Sequence, residues 1–298
     1  MTATIIDGKA IAAQVRAEVR ADAERLKCDR GLTPGLAFIL VGEHAASQVY
    51  VRSKEKACAE MGFHSVTHRL GAEVGQEELL ELIRTCNGDE SIHGILVQLP
   101  LPGHIDEQTV IEAIDHRKDV DGFHPVNVGR LVVGLDALRP CTPAGIQELL
   151  MRSGHDPSGK HVVVLGRSNI VGKPVLNILL QKQKGANAVV TVVHTGARDM
   201  ASYTHQGDIV IAALGKPEIV RGEMLKPGCV VVDVGINRVE DGTTKTGYRI
   251  VGDVHFASAS SVASAITPVP GGVGPMTIAM LMKNTLRAAE GSVSSQLV

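Results

Sequence analysis

One lysine falls on an otherwise apolar stripe of a predicted helix. The i, i+4, i+7, i+11 spacing that places residues on one helical face is followed by Tyr50, Lys54, Ala57 and Met61, with Ser47 one turn earlier. Burial disfavours the charge of a lysine, so a lysine in this position needs a partner or a task in proton transfer. The spacing alone leaves a second interpretation open, in which the side chain snorkels and its ammonium group reaches water.

Two further polar residues follow predicted strand and helix ends. Gln98 lies at the carboxyl end of an apolar strand over 94–99, and Asp121 lies in the turn-rich loop 118–125. Ligands of open α/β sheets bind beyond the carboxyl ends of the strands, which makes Gln98 a candidate for a binding site. The alternatives are a glutamine that caps loop backbone and an aspartate that only forms a turn.

A glycine loop follows the first strand of the second half of the chain. Strand 161–165 is followed by Gly166-Arg167-Ser168 and, after Gly172, by a helix. A strand, a tight turn and a helix N-terminus form the usual pyrophosphate site of dinucleotide-binding folds. The spacing is G-x-S-x-x-x-G, which an ordinary glycine-rich turn before a helix also fits.

The end of the second strand of this half indicates the type of dinucleotide. NAD sites usually carry an acidic residue there for the ribose hydroxyls, whereas strand 189–193 is followed by His194-Thr195-Gly196. Arg167 in the glycine loop and Arg198 past the strand suit a 2′-phosphate. The pattern therefore favours NADP over NAD.

The segment 267–277 reads TPVPGGVGPMT. Prolines and glycines at this density give a rigid, irregular backbone that can approach a ligand closely. An interdomain linker is the alternative interpretation.

The remaining pattern alternates strands and helices. In the first half, strands are predicted over 36–41, 64–70 and 94–99, and helices over 9–27, 47–61, 76–86 and 106–114. In the second half, strands at 161–165, 189–193, 208–212 and 230–235 alternate with helices. This alternation predicts α/β architecture with parallel strands and right-handed crossovers. A helix with Thr142 as N-cap and Pro143 at its first position marks the domain boundary.

Composition narrows the function classes. The net charge of −2 without a basic block argues against nucleic acid as a partner, and no apolar run has the length that spans a bilayer. The five scattered cysteines predict reduced thiols in the cytoplasm. His64 and His68 fall on a predicted strand, so no metal site is expected there.

Taken together, these strings resemble the bifunctional methylenetetrahydrofolate dehydrogenase/cyclohydrolase family. The resemblance covers about residues 40–285 in family order and depends most on two specific strings, VQLPLP at 97–102 and PGGVGPMT at 270–277. YVRSK at 50–54, KDVDG at 118–122, PCTP at 140–143, VGIN at 234–237 and GDV at 252–254 also match.

The family implies two α/β domains with the active site in the cleft between them. The N-terminal catalytic domain would comprise 1–140, completed by the C-terminal helix in 276–298, and a Rossmann-like NADP-binding domain would comprise 141–275. The implied protein is a homodimer that binds tetrahydrofolate derivatives and no metal. It oxidises methylenetetrahydrofolate to methenyltetrahydrofolate with NADP+ and hydrolyses the product to 10-formyltetrahydrofolate.

The family also implies roles for individual residues. Lys54 would be the catalytic lysine, Gln98 would hold its amine, Tyr50 would stack on the folate ring system, and Asp121 would bind the pterin, with Ser47 a weaker member of the lysine network. The implied folate-binding residues are Tyr50, Val97, Gln98, Leu99, Asp121, Pro268, Gly271 and Gly272, and the implied cofactor contacts are Gly166, Arg167, Ser168, Thr195 and Ile236.

Two rival functions follow from parts of the pattern. The dinucleotide-binding half alone would suit a dehydrogenase for another small substrate or a dinucleotide-sensing module. Neither requires the set of Tyr50, Lys54 and Gln98, so we expect both folate activities. One departure concerns the cofactor, because many family members carry a serine and a basic residue directly after the histidine, where this chain has Thr195 and Gly196.

Overall fold

A computed structural model describes residues 2–244 and 247–291 of the chain. Its strands are β1 (Thr4–Ile5), β2 (Gly35–Val41), β3 (His64–Leu70), β4 (Gly94–Val97), β5 (His161–Leu165), β6 (Val189–Val193), β7 (Ile209–Ala212), β8 (Val230–Asp233), β9 (Asn237–Glu240), β10 (Tyr248–Val251) and β11 (Ala265–Ile266). Its helices are α1 (Gly8–Arg30), α2 (Ala45–Met61), α3 (Gln76–Gly88), α4 (Glu107–Ala113), α5 (Pro125–Val132), α6 (Cys141–Arg152), α7 (Gly172–Leu180), α8 (Ala201–Thr204), α9 (Phe256–Ser260) and α10 (Val273–Ala289), with a 3-10 turn at Gly222–Met224.

The chain forms two compact units, which we name by their main sheets. Among the described residues, the three-stranded unit comprises 14–141 and 278–291, and the six-stranded unit comprises 2–13, 142–244 and 247–277. Each of the three points at which the chain passes from one unit to the other falls inside a helix, namely α1, α6 and α10. Residues 292–298, which we had placed in the catalytic domain, lie outside the described residues.

The three-stranded unit contains a parallel sheet in the order β3-β2-β4. All seven residues of the central strand β2 are buried, which explains its continuous apolar sequence. One core cluster packs β2 and β4 against the apolar face of α3, through residues that include Ile39, Ile95, Leu79 and Ile83. The strands and helices predicted for this half are confirmed to within a few residues at their ends.

The six-stranded unit contains an all-parallel sheet in the order β1-β11-β8-β7-β5-β6. From β5 the chain goes to β6 on one side, and β7 then pairs with β5 on the other side. The strand order therefore reverses between β5 and β7, and such a switch point opens a crevice at the carboxyl ends of the two strands.

Residues 1–13 differ from the predicted domain division, because they group with the six-stranded unit. The reason is β1, which pairs in parallel with β11 and so adds the outer strand of that sheet. A two-residue strand is too short to show a period in the sequence, so β1 could not be predicted.

Three local features were also missed or misplaced. Helix α5 begins at Pro125, where only a loop was expected, with the His124 ring accepting a hydrogen bond from the Val126 amide as its N-cap. Thr142 is not an N-cap, because α6 already begins at Cys141, and its hydroxyl instead shares a hydrogen bond with that of Thr277 at 2.8 Å. The antiparallel hairpin of β9 and β10 was not predicted.

The five cysteines are all free, and Cys28 is the exposed one among them. Burial raises the pKa of Cys58 to about 12 and that of Cys229 to about 11. It also raises the pKa of Cys86 and Cys141. Four of the five thiols are therefore protonated at neutral pH.

Within 2–244 and 247–291, no helix has the length and apolar character needed to cross a membrane. Over the same ranges, no group of three or more His, Cys, Asp or Glu residues is placed to hold a metal ion. His64 and His68 both lie on strand β3, as predicted.

Candidate active site

The structure joins the two polar residues that the sequence singled out first. The Lys54 ammonium donates a hydrogen bond to the Gln98 side-chain oxygen at 3.0 Å. Gln98 follows β4, and its backbone amide still donates to Ile39 in the neighbouring strand at 2.9 Å. Its side-chain amide donates to the Leu99 carbonyl at 2.7 Å, which fixes the orientation of the oxygen toward the lysine. Lys54 is partly buried, so its side chain does not simply snorkel into bulk water.

The helix that carries Lys54 is less uniformly buried than its spacing predicted. Ala57 and Met61 lie in the core, but Tyr50 is 47% exposed. The first turns of α2 follow the carboxyl end of β2. Tyr50 is therefore an exposed aromatic ring one turn from Lys54, a suitable platform for a flat ligand. Ser47 is buried, and its hydroxyl contacts the His44 ring at 3.3 Å rather than the lysine.

A short bridge beside β4 places the loop that carries Asp121. Asp119 pairs in parallel with Ile95, and the Ile95 amide donates to the Lys118 carbonyl at 2.8 Å. The buried Asp119 carboxylate then accepts hydrogen bonds from the amides of Gly122 at 3.1 Å and His124 at 2.8 Å. Asp119, which the sequence reasoning did not single out, thus fixes the turn around Asp121.

The last helix holds the same loop from the other side. The buried Asn284 amide donates to the Val120 carbonyl and to the Arg139 carbonyl, both at 2.8 Å. Asn284 was also missed. A polar residue on the apolar face of a predicted helix was the available signal, because such a residue needs a hydrogen-bond partner when buried.

Asp121 lies in an environment that opposes its charge. Burial raises its pKa, the charge of Lys54 pulls the pKa down, and that of Asp119 pushes it up again. The opposite charge of Lys54 therefore helps Asp121 to remain a carboxylate. The charge of Lys54 also lowers the pKa of the Cys141 thiol, whereas the charges of Asp121 and Asp119 raise it. These four side chains are therefore close enough to interact electrostatically.

Val97 and Leu99 are the predicted substrate residues on either side of Gln98. The Val97 side chain is 7% exposed and belongs to the core cluster, so only its backbone can face a ligand. Leu99 is partly buried, and its carbonyl accepts the bond from Gln98.

In the six-stranded unit the glycine loop lies at the switch point. Gly166 follows β5 with φ of +123°, and a β-carbon there would lie 2.2 Å from the Ala213 carbonyl oxygen after β7. No side chain fits this position, so the two loops at the crevice approach each other through backbone alone. The loop fits a dinucleotide, because α7 begins at Gly172 and directs its N-terminus toward the same edge.

The other predicted cofactor residues surround this turn. The Ser168 hydroxyl accepts hydrogen bonds from the amides of Val171 at 3.1 Å and Gly172 at 3.3 Å, which stabilises the start of α7. Arg167, Thr195 and Arg198 are exposed at the same edge of the sheet.

Ile236 lies apart from the glycine loop. It lines a separate pocket of about 200 Å³, which we call the second pocket to distinguish it from the crevice at the switch point. Its walls are the segments 233–236 and 268–275, together with Lys9 and Ile250. The structure thus brings the predicted cofactor contact Ile236 together with the predicted folate-lining residues Pro268, Gly271 and Gly272.

The six-stranded unit has the strand order, glycine turn and helix N-terminus of a dinucleotide-binding domain, and the three-stranded unit carries a lysine, a glutamine and a carboxylate suited to acid–base work. These features are those of an α/β protein with a dinucleotide-binding domain and a second unit that carries side chains suited to proton transfer. Family models agree with this class. Residues 6–121 match the tetrahydrofolate dehydrogenase/cyclohydrolase catalytic domain, and residues 140–293 match the NAD(P)-binding domain of the same family. The chain belongs to the tetrahydrofolate dehydrogenase/cyclohydrolase family.

Individual relatives are similar over nearly their whole length. The bifunctional protein FolD of Moorella thermoacetica is 58% identical over 97% of this chain and 99% of its own. The crystal structure of the bifunctional enzyme FolD, methylenetetrahydrofolate dehydrogenase/cyclohydrolase, from Campylobacter jejuni is 49% identical, with a TM-score of 0.91 over 97% of this chain and 99% of that one. The Trypanosoma brucei enzyme, determined with NADP cofactor and an inhibitor, is 43% identical, with a TM-score of 0.92 over 99% and 100%.

Proposed function

We propose that this chain catalyses two consecutive reactions on one folate. It oxidises 5,10-methylenetetrahydrofolate to 5,10-methenyltetrahydrofolate with NADP+, and it hydrolyses the methenyl compound to 10-formyltetrahydrofolate. The observation that carries the proposal is the 3.0 Å hydrogen bond between Lys54 and Gln98, at the carboxyl edge of the catalytic domain's sheet.

Lys54 handles protons in the hydrolytic step. Water adds to the methenyl carbon and gives one proton to the Lys54 amine, which leaves a neutral hydroxyl adduct. The bond from that carbon to the folate ring nitrogen then breaks, and the Lys54 ammonium returns its proton to the departing nitrogen. The hydroxyl proton passes to solvent as the formyl C=O forms, so one proton is released overall. One group can serve both purposes because the two proton transfers follow each other at the same carbon. Lys54 forms no covalent bond to the substrate in this scheme.

Gln98 and Tyr50 arrange the lysine and the substrate. Gln98 presents only its carbonyl oxygen to Lys54, because its amide is bound to Leu99. That contact keeps the lysine directed toward the sheet edge when the ammonium forms. The exposed ring of Tyr50 stacks on the flat folate ring system and excludes water from one of its faces.

Asp121 binds the pterin end of the substrate. Its carboxylate accepts hydrogen bonds from the pterin amino group and a ring N–H, a bidentate contact that fixes the orientation of the ring. The turn around Asp121 is held by Asp119 and Asn284, so the carboxylate is positioned before substrate binds.

In the dehydrogenase step the protein supplies alignment. NADP+, when bound, accepts a hydride from the methylene carbon. The turn at Gly166 to Ser168 receives the pyrophosphate, and Thr195 with Arg167 lies toward the ribose phosphate. The backbone of 268–272 and Ile236 line one pocket of the six-stranded unit. The family resemblance assigns this backbone to folate and Ile236 to the cofactor.

Selectivity for NADP over NAD follows from charge. Strand β6 is followed by His194-Thr195-Gly196 without a carboxylate that would repel a 2′-phosphate, and Arg167 and Arg198 are exposed nearby. We therefore expect a higher kcat/KM with NADP+ than with NAD+. Equal values would contradict the assignment of the arginines.

One assay tests the two reactions separately. Purified protein is mixed with methylenetetrahydrofolate and either NADP+ or NAD+, and the absorbance of the methenyl product is followed. The decay of methenyltetrahydrofolate without cofactor then measures the hydrolysis. No methenyl formation with either cofactor refutes the dehydrogenase, and decay at the uncatalysed rate refutes the cyclohydrolase.

The working form is a homodimer in the cytoplasm. Family resemblance supports the dimer, and the unpaired, mostly buried thiols support a reducing compartment. Light scattering at micromolar concentration is expected to give twice the chain mass of 31.5 kDa, and a value equal to the chain mass refutes the dimer.

A further inference from the structure

Two buried aspartates of the six-stranded unit have no role in the reactions described above. Asp253, which is fully buried, follows the hairpin strand β10. Its carboxylate accepts hydrogen bonds from three successive backbone amides, those of Leu214 at 2.5 Å, Gly215 at 2.9 Å and Lys216 at 3.0 Å. It also accepts one from the Asn237 side chain at 2.9 Å. A single side chain thus binds the whole loop that follows β7.

Asp233, at the end of β8, holds Asp253 in turn. Its buried carboxylate accepts hydrogen bonds from the amides of Gly235, Asp253 and Val254, each at 2.9 Å. Its own amide donates to the Thr267 hydroxyl at 2.8 Å. The two carboxylates therefore connect the loops after β7 and β8 with the segment after β10.

The surrounding backbone fits closely around these carboxylates. A β-carbon at Gly252 would lie 1.8 Å from an Asp233 carboxylate oxygen, and one at Gly235 would lie 2.3 Å from an oxygen of Asp253. Both distances are far below van der Waals contact, so each glycine leaves the space that a carboxylate fills. The network therefore requires aspartate at 233 and 253 and glycine at 235 and 252.

The loops that this network holds are those of the cofactor site. The loop after β7 forms one wall of the switch-point crevice, and its Ala213 carbonyl lies against the turn at Gly166. The loop after β8 leads from Gly235 directly into Ile236, which lines the second pocket. Six hydrogen bonds from backbone amides to carboxylates thus converge on the edge that faces a dinucleotide.

We propose that Asp253, supported by Asp233, is a positioning residue for NADP+ that fixes the backbone of 214–216 in the conformation that receives the cofactor. The inference rests on the proposed function. Asp253 touches neither cofactor nor substrate in this scheme, and its effect passes through the loop. A carboxylate is needed because it offers acceptors to several N–H groups at once and forms stronger hydrogen bonds than a neutral group. Burial raises the pKa of Asp233 to about 6, so Asp233 is an anion at neutral pH.

The test replaces Asp253 by its amide. In Asp253→Asn an NH2 group faces backbone N–H donors, so the loop loses acceptors without a change in side-chain volume. We expect hydrogen exchange of the amides of 214–216 to accelerate about tenfold or more in the cofactor-free protein. By calorimetry, we expect affinity for NADP+ to fall about tenfold. Hydrolysis of methenyltetrahydrofolate, whose proposed acid–base residues lie in the other domain and which needs no cofactor, is expected to stay within about twofold of wild type.

Asp208→Asn is the matched control. Asp208 also accepts a backbone amide, that of His161 at 2.9 Å, and it pairs with Lys226, but it lies at the amino end of β7, away from the crevice. We expect its NADP+ affinity and its exchange at 214–216 to be those of wild type. Asn237→Ala, which removes one donor and leaves the carboxylate, serves as the second variant if Asp253→Asn does not fold. It is expected to show the same two changes at smaller size.

The outcomes separate this inference from the proposed function. Faster exchange at 214–216 with unchanged NADP+ affinity overturns the positioning role, as does an equal loss of NADP+ affinity and of hydrolysis. If both Asp253→Asn and Asn237→Ala leave exchange and affinity unchanged, the inference fails and the proposed function stands. If the wild-type chain forms no methenyl compound and binds no NADP+, both fail together.

Discussion

The two domains present their candidate site residues by different means. In the catalytic domain the proposed chemistry belongs to side chains, since Lys54 projects from a helix, Gln98 from a strand end and Asp121 from a turn. In the NAD(P)-binding domain the surface that we assign to the cofactor is mostly backbone, shaped by the glycine turn at 166 and by the amides that donate to Asp253.

Substitutions in the two domains should therefore act in different ways. Side-chain chemistry is lost when one group is removed, because no neighbour replaces it. A backbone surface is little affected by the side chains that project from it and is sensitive to the buried groups that hold it. Effects in the first domain should therefore appear in kcat or in KM for the folate, and those in the second in cofactor binding.

The largest expected effect is that of Lys54→Met on the hydrolysis. Removal of a positioned acid–base group lowers rates by about 10²–10⁴-fold, so hydrolysis of methenyltetrahydrofolate should fall by that factor. Hydride transfer, which needs no proton from Lys54, should keep part of its rate. Lys56→Met is the control, because the Lys56 side chain lies 79% exposed two residues along the same helix. Equal loss of both activities would mean that Lys54 only binds or supports structure.

Gln98→Met should give the next largest effect. Loss of a hydrogen bond to a charged group costs about 1.5–3 kcal/mol, so we expect hydrolysis to slow about 10- to 100-fold. Gln108→Met, at an exposed position of α4, is the control. Hydrolysis at the wild-type rate in Gln98→Met would argue against a role of Gln98 in holding the lysine.

Asn284→Ala tests whether the turn around Asp121 must be held. The substitution leaves the carbonyls of Val120 and Arg139 without their buried donor, which costs about 1–3 kcal/mol of unfolding free energy. We expect KM for methylenetetrahydrofolate to rise and KM for NADP+ to stay constant. Urea unfolding and steady-state kinetics measure the two quantities, with Arg84→Ala on exposed α3 as the control. A parallel rise in both KM values would contradict a local role.

Arg167→Ala removes an exposed side chain of the NAD(P)-binding domain, where the surface assigned to the cofactor is otherwise mostly backbone. Its guanidinium should contribute only to the 2′-phosphate, so kcat/KM with NADP+ should fall about tenfold while that with NAD+ is unchanged. The NADP+/NAD+ ratio is the measurement, and Arg221→Ala, exposed elsewhere in the same domain, is the control. Similar losses with both cofactors would place Arg167 outside the 2′-phosphate site.

The smallest effect is on the pH dependence of the free energy of unfolding. One carboxyl group in each domain contributes to it, and the two contributions change in opposite directions with pH. In the catalytic domain Arg117 lowers the pKa of Asp115 to about 2, so the ion pair stabilises the fold above pH 4 and is lost as the pH falls toward 2. In the other domain burial raises the pKa of Asp233 to about 6, so its contribution to stability increases as the pH falls from 6 to 4. Each contribution is of order 1–2 kcal/mol.

Urea unfolding at several pH values measures this contrast. Wild type should lose its advantage over Asp115→Asn below pH 4 and improve relative to Asp233→Asn between pH 6 and 4. The same pH dependence in both pairs would show that the two carboxyl groups are not shifted in opposite directions.

The regular elements could be predicted because their patterns are strong. Strand β2 is an unbroken apolar run, and α2 and α3 show clear helical spacing. By contrast, β1 and β11 contain two residues each, and the eight residues of α5 follow a loop-like string, so neither pattern is long enough to detect.

The residues of the candidate site likewise divide into those that the sequence predicted and those that it did not. Lys54, Gln98 and Asp121 stood out because each is a polar residue at a position where the pattern predicts apolar or turn residues. Asp253 and Asp233 were missed, although Asp233 ends an otherwise apolar strand in the manner of Gln98. Their partners are backbone amides from distant segments, and no local sequence pattern records which amides will meet a given carboxylate.

The burial of four thiols has a practical consequence for studying this protein. Cys58, Cys86, Cys141 and Cys229 are enclosed and protonated, whereas Cys28 lies exposed on α1. A maleimide dye at neutral pH should therefore attach to the native chain at Cys28 alone. Mass spectrometry of the conjugate should show one added label in the folded state and five after unfolding in denaturant. The wild-type sequence thus carries its own fluorescent attachment point, and no cysteine has to be removed to use it.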